Sequence, residues 1–399
     1  AMVLVGATSG HEMFFSEETG IDWNVIFLLL GMMIIVGVLR TTGVFEFVAI
    51  TAAQLSRGRP FAMMAMLIVT TAVASALLDN VTTVLLIAPV TLLICGRLGL
   101  APIPFLLAEV MASNIGGAST LIGDPPNIII GSRANLSFND FLIHMGPIVL
   151  VLLVVFIGLA WVLWGRHLSL DEEKAAKIMR LQPGEAITDH KLLIKMGVVL
   201  LFVLVGFVTH SITHADPSVV ALLGAGAPIA ISRLSPQEYL EDVEWETLMF
   251  FAGLFIMVGA LVHLGVIGEV AEMLASALGG DYQLGAMVIL ISSAALSGIV
   301  DNIPFVATMS PLVYDIVGPG AGLAPQPQSL WWALALGADL GGNATLIGAS
   351  ANVVVSGIAK RNGHPISFWT FSKYGIPVTI VTIAICVPYL LLRYFVLAG

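Results

Sequence analysis

Long apolar stretches dominate the chain, and many of them contain no charged residue. Examples are residues 23–39, 145–165, 282–300 and 374–392. A helix needs roughly 20 consecutive apolar residues to cross the hydrocarbon core of a bilayer. The stretches lack the apolar–polar alternation of barrel strands, so helices are favoured. The pattern therefore predicts an all-α polytopic membrane protein.

The composition narrows the class further. Of 399 residues, 58% are hydrophobic and 11% are charged, whereas a soluble domain carries about 25% charged residues. No Lys/Arg-rich patch is present, so nucleic acid is not an expected partner. The two cysteines, Cys95 and Cys386, lie inside apolar runs, which excludes a disulfide framework or a thiolate metal site. We therefore expect the lipid bilayer as the main partner and no bound cofactor.

Polar and glycine residues of the first half recur in the second half. At a spacing of 222 residues, Asp22-Trp23 matches Glu244-Trp245 and Asp79-Asn80 matches Asp301-Asn302. At a spacing of 225, GGASTLIG at 116–123 matches GGNATLIG at 341–348. Chance matches of this kind are rare in so apolar a chain. The sequence therefore predicts two structural repeats.

Charge predicts that the two repeats have opposite orientations in the membrane. Arg57 and Arg59 mark a basic loop, and the matching positions 279 and 281 carry no positive charge. Basic loops face the cytoplasm, and so does the basic segment 166–195. The expected units are repeat 1 at 1–165, a basic loop with an extra helix at 166–216, and repeat 2 at 217–399. Residues 1–8 are expected to end a first helix that starts upstream of this sequence.

Each repeat is predicted to contain a re-entrant hairpin and a broken helix. Residues 60–96 are long enough for two crossings or for one re-entrant hairpin, and the hairpin is favoured there and at 282–317. The hairpins turn at Asp79-Asn80 and at Asp301-Asn302. Gly-Gly pairs and Pro125-Pro126 interrupt the following helices, because Gly and Pro weaken helical backbone. Such breaks are tolerated at membrane depth only where they line protein or a cavity. Inverted repeats with broken helices at the midplane are the plan of many secondary transporters.

Carboxyl groups at these positions are the candidate chemistry. A carboxylate at the centre of a bilayer is disfavoured by at least about 2.5–3.5 kcal/mol, so it usually serves a function. The candidate ion- or substrate-binding residues are Asp79, Asn80, Thr82, Asn114, Gly117, Thr120, Asp124, Asn127, Asp301, Asn302, Asp339, Asn343, Thr345 and Asn352. Oxygen ligands with one carboxylate suit Na⁺. The expected sodium sites are Asp79, Asn80 and Asn114, and Asp301, Asn302 and Asp339.

Structural explanations compete with ion binding at the same residues. The Asp-Asn pairs also suit helix caps inside a hairpin. The glycines also suit close helix packing, and Asp124 before two prolines suits a turn. An intramembrane aspartyl protease, a different class, also uses two membrane Asp residues. It needs neither the adjacent Asn residues nor a repeat over the whole chain.

These motifs resemble a known family over essentially the whole chain. LLDNVTTVLL at 77–86 and the stretch 114–127 resemble the ArsB/NhaD group of the ion transporter superfamily, and 341–368 is most similar to its P-protein branch. The resemblance implies a homodimer, with a scaffold part and a moving part in each protomer. It also implies two hairpin tips and two broken helices around one site. Dicarboxylate carriers of this superfamily have Ser-Asn-Thr at the tips, so Asp79 and Asp301 argue against a dianionic substrate.

The expected function is a secondary active transporter of an inorganic ion, coupled to protons or sodium, and not an enzyme. Na⁺/H⁺ antiport and arsenite efflux both agree with the resemblance. Chloride-type anion transport, suggested for the P-protein branch, is the alternative. The expected location is the plasma membrane of a bacterium. The chain itself has no Walker-type motif, so any coupling to ATP would need a separate soluble ATPase partner.

Overall fold

The computed structural model describes residues 9–16, 19–57, 59–168, 182–231, 235, 237, 240, 243–318 and 324–397. Within these ranges the secondary structure is helical and contains no β-strand. The all-α prediction is therefore confirmed. Residues 1–8, expected to end a first helix, and 169–181 of the basic segment lie outside the described residues.

The first half of the chain forms ten helices in the described ranges, interrupted at the predicted places. They are α1 (Gly10–Phe15), α2 (Trp23–Arg40), α3 (Val44–Leu55), α4 (Pro60–Leu77), α5 (Asn80–Leu98), α6 (Ile103–Gly117), α7 (Pro125–Ala134), α8 (Phe138–His144), α9 (Gly146–Leu163) and α10 (His190–Val208).

The second half follows the same order over most of its length. Its helices are α11 (His210–Thr213), α12 (Pro217–Ile231), α13 (Trp245–His263), α14 (Val266–Leu278), α15 (Tyr282–Ser297), α16 (Asn302–Val317), α17 (Pro325–Gly341), α18 (Ser350–Arg361) and α19 (Phe368–Leu391). A π-helical turn, Leu392–Val396, follows α19.

Seven helices of the described ranges are long and apolar enough to cross a membrane. They are α2, α4, α5, α9, α10, α13 and α19 with the turn after it. Many of their apolar side chains are exposed in the isolated chain, for example Leu150 on α9 and Leu201 on α10. Lipid tails are the environment that such side chains require. The protein is therefore an integral membrane protein.

The predicted breaks separate consecutive helices in both halves. Helix α4 ends at Leu77 and α5 begins at Asn80, so Asp79 lies at the turn. Helix α15 ends at Ser297, and Asp301 directly precedes α16. Residues 118–124 separate α6 from α7, and residues 342–349 separate α17 from α18. The four breaks bring unpaired backbone groups into the interior of a helical fold.

Two pairs of helices pack closely and hold the breaks together. Helix α4 packs along α6, and α15 packs along α17. At the first crossing, a Cβ atom on Gly116 would lie 2.2 Å from the backbone oxygen of Ala72. At the second, a Cβ atom on Gly341 would lie 2.6 Å from the backbone oxygen of Ala294. Glycine is required at both crossings because only its missing side chain permits this approach.

Candidate ion-binding site

The two hairpin turns are stabilised by their own carboxylates. Asp79 Oδ1 accepts a hydrogen bond of 2.8 Å from the backbone N–H of Thr82, at the start of α5. Asp301 Oδ1 accepts from the backbone N–H of Ile303 at 3.0 Å, and its Oδ2 accepts from Ser350 Oγ at 2.7 Å. Both Asp residues therefore act as helix caps, while their neighbours Asn80 and Asn302 point into the core.

Both hairpin tips meet on one carboxylate, that of Asp124. Asn80 Nδ2 donates to Asp124 Oδ2 at 2.9 Å, and Asn302 Nδ2 donates to Asp124 Oδ1 at 3.3 Å. Asp124 is fully buried at the break before α7. Because Asn80 and Asn302 belong to different repeats, Asp124 joins the two halves of the molecule at this point.

A second set of amide contacts also crosses between the repeats. Asn80 Nδ2 lies 3.1 Å from Asn114 Oδ1. Asn114 Nδ2 donates to Asn343 Oδ1 at 3.0 Å and to Asn352 Oδ1 at 3.2 Å. These side chains are buried. We call the connected side chains Asn80, Asn114, Asp124, Asn302, Asn343 and Asn352 the central network.

Asparagine side chains hold the two broken helices in shape. Asn352 Nδ2 donates to the backbone oxygens of Gly342 at 2.7 Å and Thr345 at 2.8 Å. Its repeat counterpart Asn127 donates to the backbone oxygen of Thr120 at 3.0 Å and approaches that of Gly117 at 3.4 Å. Each amide thus satisfies carbonyls that the helix break left unpaired.

Threonine hydroxyls tie each break to the neighbouring hairpin. Thr120 Oγ1 donates to the backbone oxygen of Ala76 on α4 at 2.7 Å. Thr345 Oγ1 donates to the backbone oxygen of Gly298, just after α15, at 2.6 Å. Hairpin tip and broken helix are therefore one connected unit in each half.

Several buried oxygen atoms in this region accept no hydrogen bond. Both carboxyl oxygens of Asp339 lack a partner among the described residues, as do Asn80 Oδ1 and Asn127 Oδ1. Asp339 and Asn127 are fully buried. A buried acceptor without a donor costs about 1–3 kcal/mol, and more when it is charged. A proton or a cation is the species that would satisfy such oxygens.

The site is rich in acceptors and poor in positive charge. The side chains that bond to one another in the central network are amides and one carboxylate, with no Lys or Arg among them. Asp339 and Asp301 lie close enough to Asp124 for their charges to interact with it. The electrostatic environment of this site favours a cation over an anion.

The structure brings together most of the residues that the sequence singled out. Asn80 meets Asn114, two members of the first expected sodium site, whereas Asp79 is held at its helix cap. Thr82 contributes its backbone N–H to that cap. In the part of the chain that the structure describes, no group of three His, Cys, Asp or Glu residues is arranged to hold a metal ion. A sodium site here would depend on amide and backbone oxygens beside a single carboxylate.

Sequence reasoning missed one pair of serines. Ser75 Oγ donates to the backbone oxygen of Ser113 at 2.8 Å, and Ser297 Oγ donates to that of Ala338 at 2.7 Å. Both serines are buried, and they lie 222 positions apart. The repeat spacing was the signal that would have found them.

Sequence reasoning also missed Glu244, whose repeat partner is Asp22. It directly precedes α13, and it lines a small cavity together with Asp79. Glu109, the buried acid of α6, accepts a hydrogen bond from Thr91 on α5 and is not among the side chains of the central network.

Helical spans, two broken helices and a buried polar network at their meeting point define a polytopic membrane protein with an internal polar site. A model of the CitMHS family, described as a citrate transporter, matches residues 1–337. The chain belongs to this family. It is therefore a membrane transporter.

The curated relatives agree with this assignment. An uncharacterized transporter of Mycobacterium tuberculosis is 56% identical over 397 residues, covering 100% of this chain and 92% of that protein. The 46 kDa membrane protein of Mycobacterium leprae is 55% identical over 399 residues, with the same coverage. The P protein of Homo sapiens is 38% identical over 454 aligned residues, covering 94% of this chain and 54% of that protein. The resemblance to the P-protein branch is confirmed.

Proposed function

We propose that the protein is a secondary active transporter that couples its substrate to H⁺ or Na⁺ at the central network and Asp339. The observation that carries this proposal is the fully buried Asp339. Its two carboxyl oxygens accept no hydrogen bond of ordinary length in the described part of the chain, and the amide of Asn127 is a polar neighbour that interacts with it more weakly. An unpaired carboxylate is costly inside a membrane. Binding a proton or a cation removes that cost.

Competition for one carboxyl gives the coupling. A carboxylate binds either a proton or Na⁺, and one of them must leave before the other binds. Asp124 already accepts hydrogen bonds from two amide donors, Asn80 and Asn302, whereas no donor bonds to Asp339 at ordinary hydrogen-bond length in the described part of the chain. In our proposal Asp339 exchanges the coupling ion, and Asp124 holds the hairpin tips in place around it.

Within this proposal Na⁺/H⁺ antiport is the first candidate activity, and arsenite efflux is the second. Arsenous acid is neutral in water and needs no countercharge. Citrate, named in the description of the family model, carries several negative charges. It would enter this acidic site only with cations bound beside it. The mycobacterial relatives support a location in a bacterial plasma membrane.

Proton flux in proteoliposomes tests the proposal. The reconstituted protein carries a lumenal pH dye, and gradients of Na⁺, Li⁺, K⁺, arsenite, chloride and citrate are imposed in turn. We expect Na⁺ or Li⁺ to drive proton movement. In Asp339→Asn and Asp124→Asn this movement falls about tenfold or more. Loss of a hydrogen bond to a charged group costs about 1.5–3 kcal/mol. Each 1.4 kcal/mol corresponds to about a tenfold change in an equilibrium constant, which gives the expected size of the effect.

The control makes the same chemical change away from the network. Asp281 caps α15 through the backbone N–H of Leu284 and is exposed, so Asp281→Asn should transport like the wild type. If protons move only when an arsenite gradient is imposed, the transported substrate is arsenite and the function is arsenite efflux. Flux that Asp339→Asn leaves intact would contradict the proposed coupling site.

A further inference from the structure

Two large cavities lie at opposite ends of α2 and α13. The first, of about 480 Å³, is lined by residues before α2 and by the second half of α13. The other, of about 630 Å³, is lined by the second half of α2 and by the start of α13. We call them the Asp22 vestibule and the Glu244 vestibule, after the acid in each that directly precedes α2 or α13. Their linings correspond at the repeat spacing of 222. Three such pairs are Asp22 and Glu244, Val36 and Val258, and Gly37 and Gly259.

The Glu244 vestibule continues toward a hairpin tip. A smaller cavity of about 90 Å³ is lined by Asp79. It shares four lining residues with the vestibule, namely Met33, Glu244, Thr247 and Val354. This cavity is large enough for water, and Asp79 and Glu244 supply polar partners for it. Glu244 therefore stands where the wide vestibule narrows toward Asp79.

The two repeat-related acids are held differently. The carboxylate of Asp22 caps α2, accepting from the backbone N–H groups of Asn24 at 3.1 Å and Val25 at 3.2 Å, and it also accepts from Ser132 Oγ. The Glu244 side chain makes no cap bond to α13. It accepts a hydrogen bond of 3.0 Å from Thr247 Oγ1. Asp22 is thus committed to structure, while Glu244 keeps acceptor capacity beside the passage.

We propose that Glu244 is a proton relay residue between the Glu244 vestibule and Asp79, and that Asp22 has no such role in the other vestibule. The inference rests on the proposed ion coupling. A hydronium ion in the vestibule transfers a proton to the Glu244 carboxylate and is left as water. The resulting carboxylic acid then transfers that proton through water in the small cavity to the Asp79 carboxylate. Glu244 is left ionised for the next proton.

The electrostatic surroundings suit this role. Burial and the negative charge of Asp79 raise the pKa of Glu244 to about 7, while the hydrogen bond from Thr247 acts in the opposite direction. A relay works best when its pKa lies near the operating pH. The charged groups that face this junction are Asp79 at the hairpin tip, Arg40 at the end of α2 and Glu246 on α13.

The pH dependence of proton flux tests the relay. Flux is measured in oriented proteoliposomes while the pH on the Glu244 side is varied from 5.5 to 8.5, a range chosen to bracket about 7. We expect the wild-type rate of proton flux to change in a step near pH 7. In Glu244→Gln we expect that step to disappear and the rate to be lower than in the wild type. Glu246→Gln removes an exposed acid from the same vestibule, so we expect it to keep the step.

A second variant moves the step without removing the acid. Thr247→Val keeps the shape of the side chain and removes the donor to Glu244. Because that hydrogen bond lowers the pKa of Glu244, the step should move to higher pH. A protein that is damaged only in its fold would lose rate at every pH and would not shift the step.

The outcomes separate the relay from the proposed function. If the wild type moves no protons with any gradient, proton coupling is wrong and the relay falls with it. If the wild type transports and Glu244→Gln keeps both its rate and its step, the coupling stands and the relay is wrong. An unshifted step in Thr247→Val, with normal transport, would also overturn the relay.

Discussion

At the scale of single residues, the site is built from an asymmetry between the repeats. Asp124 in the first half corresponds to Ala349 in the second, and Asn114 in the first corresponds to Asp339 in the second. Each half therefore keeps one acid that the other half replaces. Three of the five asparagines of the network, Asn80, Asn302 and Asn352, have an asparagine at the matching position of the other half, whereas neither Asp124 nor Asp339 has an acid there.

Asn352 gives a prediction at this scale. Its Nδ2 donates to two carbonyls of the helix break, so Asn352→Asp replaces a donor by an oxygen facing two oxygens. We expect a loss of roughly 2 kcal/mol or more in stability, since each buried acceptor left unpaired costs about 1–3 kcal/mol. Thermal unfolding in detergent, followed with a thiol-reactive dye, measures it. The dye reports unfolding because Cys95 and Cys386 are buried.

Asn362→Asp is the matched control for this change. Asn362 also donates its Nδ2 to a carbonyl, that of Ile358 at 2.9 Å, but its side chain is exposed. Water can replace the lost donor there, so a small effect is expected. Equal destabilisation by the two changes would contradict the role assigned to Asn352.

The sequence predicted which residues would be chemically important more readily than it predicted their partners. The cost of a carboxylate in an apolar run identified Asp124 and Asp339. That Asn302 would reach Asp124, 178 positions away in the chain, depends on how the two hairpins pack, and no local pattern records it. The same limit hid Glu244, whose significance comes from the cavity that it shares with Asp79.

At the scale of elements, local sequence signals were sufficient to place the breaks. Asp79 and Asp301 carry the capping side chains that begin α5 and α16. Pro125 begins α7 because a proline is tolerated in a first helical turn. Gly-Gly pairs end α6 and α17. These are short-range effects of residue type, which explains why the predicted hairpin turns and helix breaks agree with the structure.

The close helix crossings give the prediction for this scale. In Gly116→Ala the new methyl group would lie 2.2 Å from the backbone oxygen of Ala72, so α4 and α6 must separate. We expect a loss of about 1–3 kcal/mol in stability, the usual cost of overpacking. Gly96, in α5, has no atom within 4 Å of a built Cβ, so Gly96→Ala should be neutral or slightly stabilising. Thermal unfolding in detergent compares the two, and a stable Gly116→Ala would contradict the close crossing.

At the scale of the whole molecule, the two halves surround the central network and present one vestibule at each end. Residues before α2 line one vestibule, and the end of α2 lines the other. Helix α13 contributes its ends in the reverse order. This is the arrangement that an inverted repeat predicts, and it places the two vestibules at opposite ends of the same helices. The two vestibules differ because Asp22 caps α2, whereas Glu244 makes no cap bond to α13.

Side-specific labelling tests this arrangement. Tyr314 lines the Asp22 vestibule and is 39% exposed, and Glu246 lines the Glu244 vestibule. Single Tyr314→Cys and Glu246→Cys variants are treated with a membrane-impermeant maleimide in right-side-out and inside-out vesicles. The native cysteines are buried, so the wild type serves as the unlabelled control.

The basic segment indicates which vestibule faces the cytoplasm. The backbone N–H of Thr188, near that segment, donates to the backbone oxygen of Thr42, just after α2. Because basic segments face the cytoplasm, we expect Glu246→Cys to react in inside-out vesicles and Tyr314→Cys in right-side-out vesicles. Reaction of both from one face would show that the vestibules share a side, and the inverted arrangement would then be wrong.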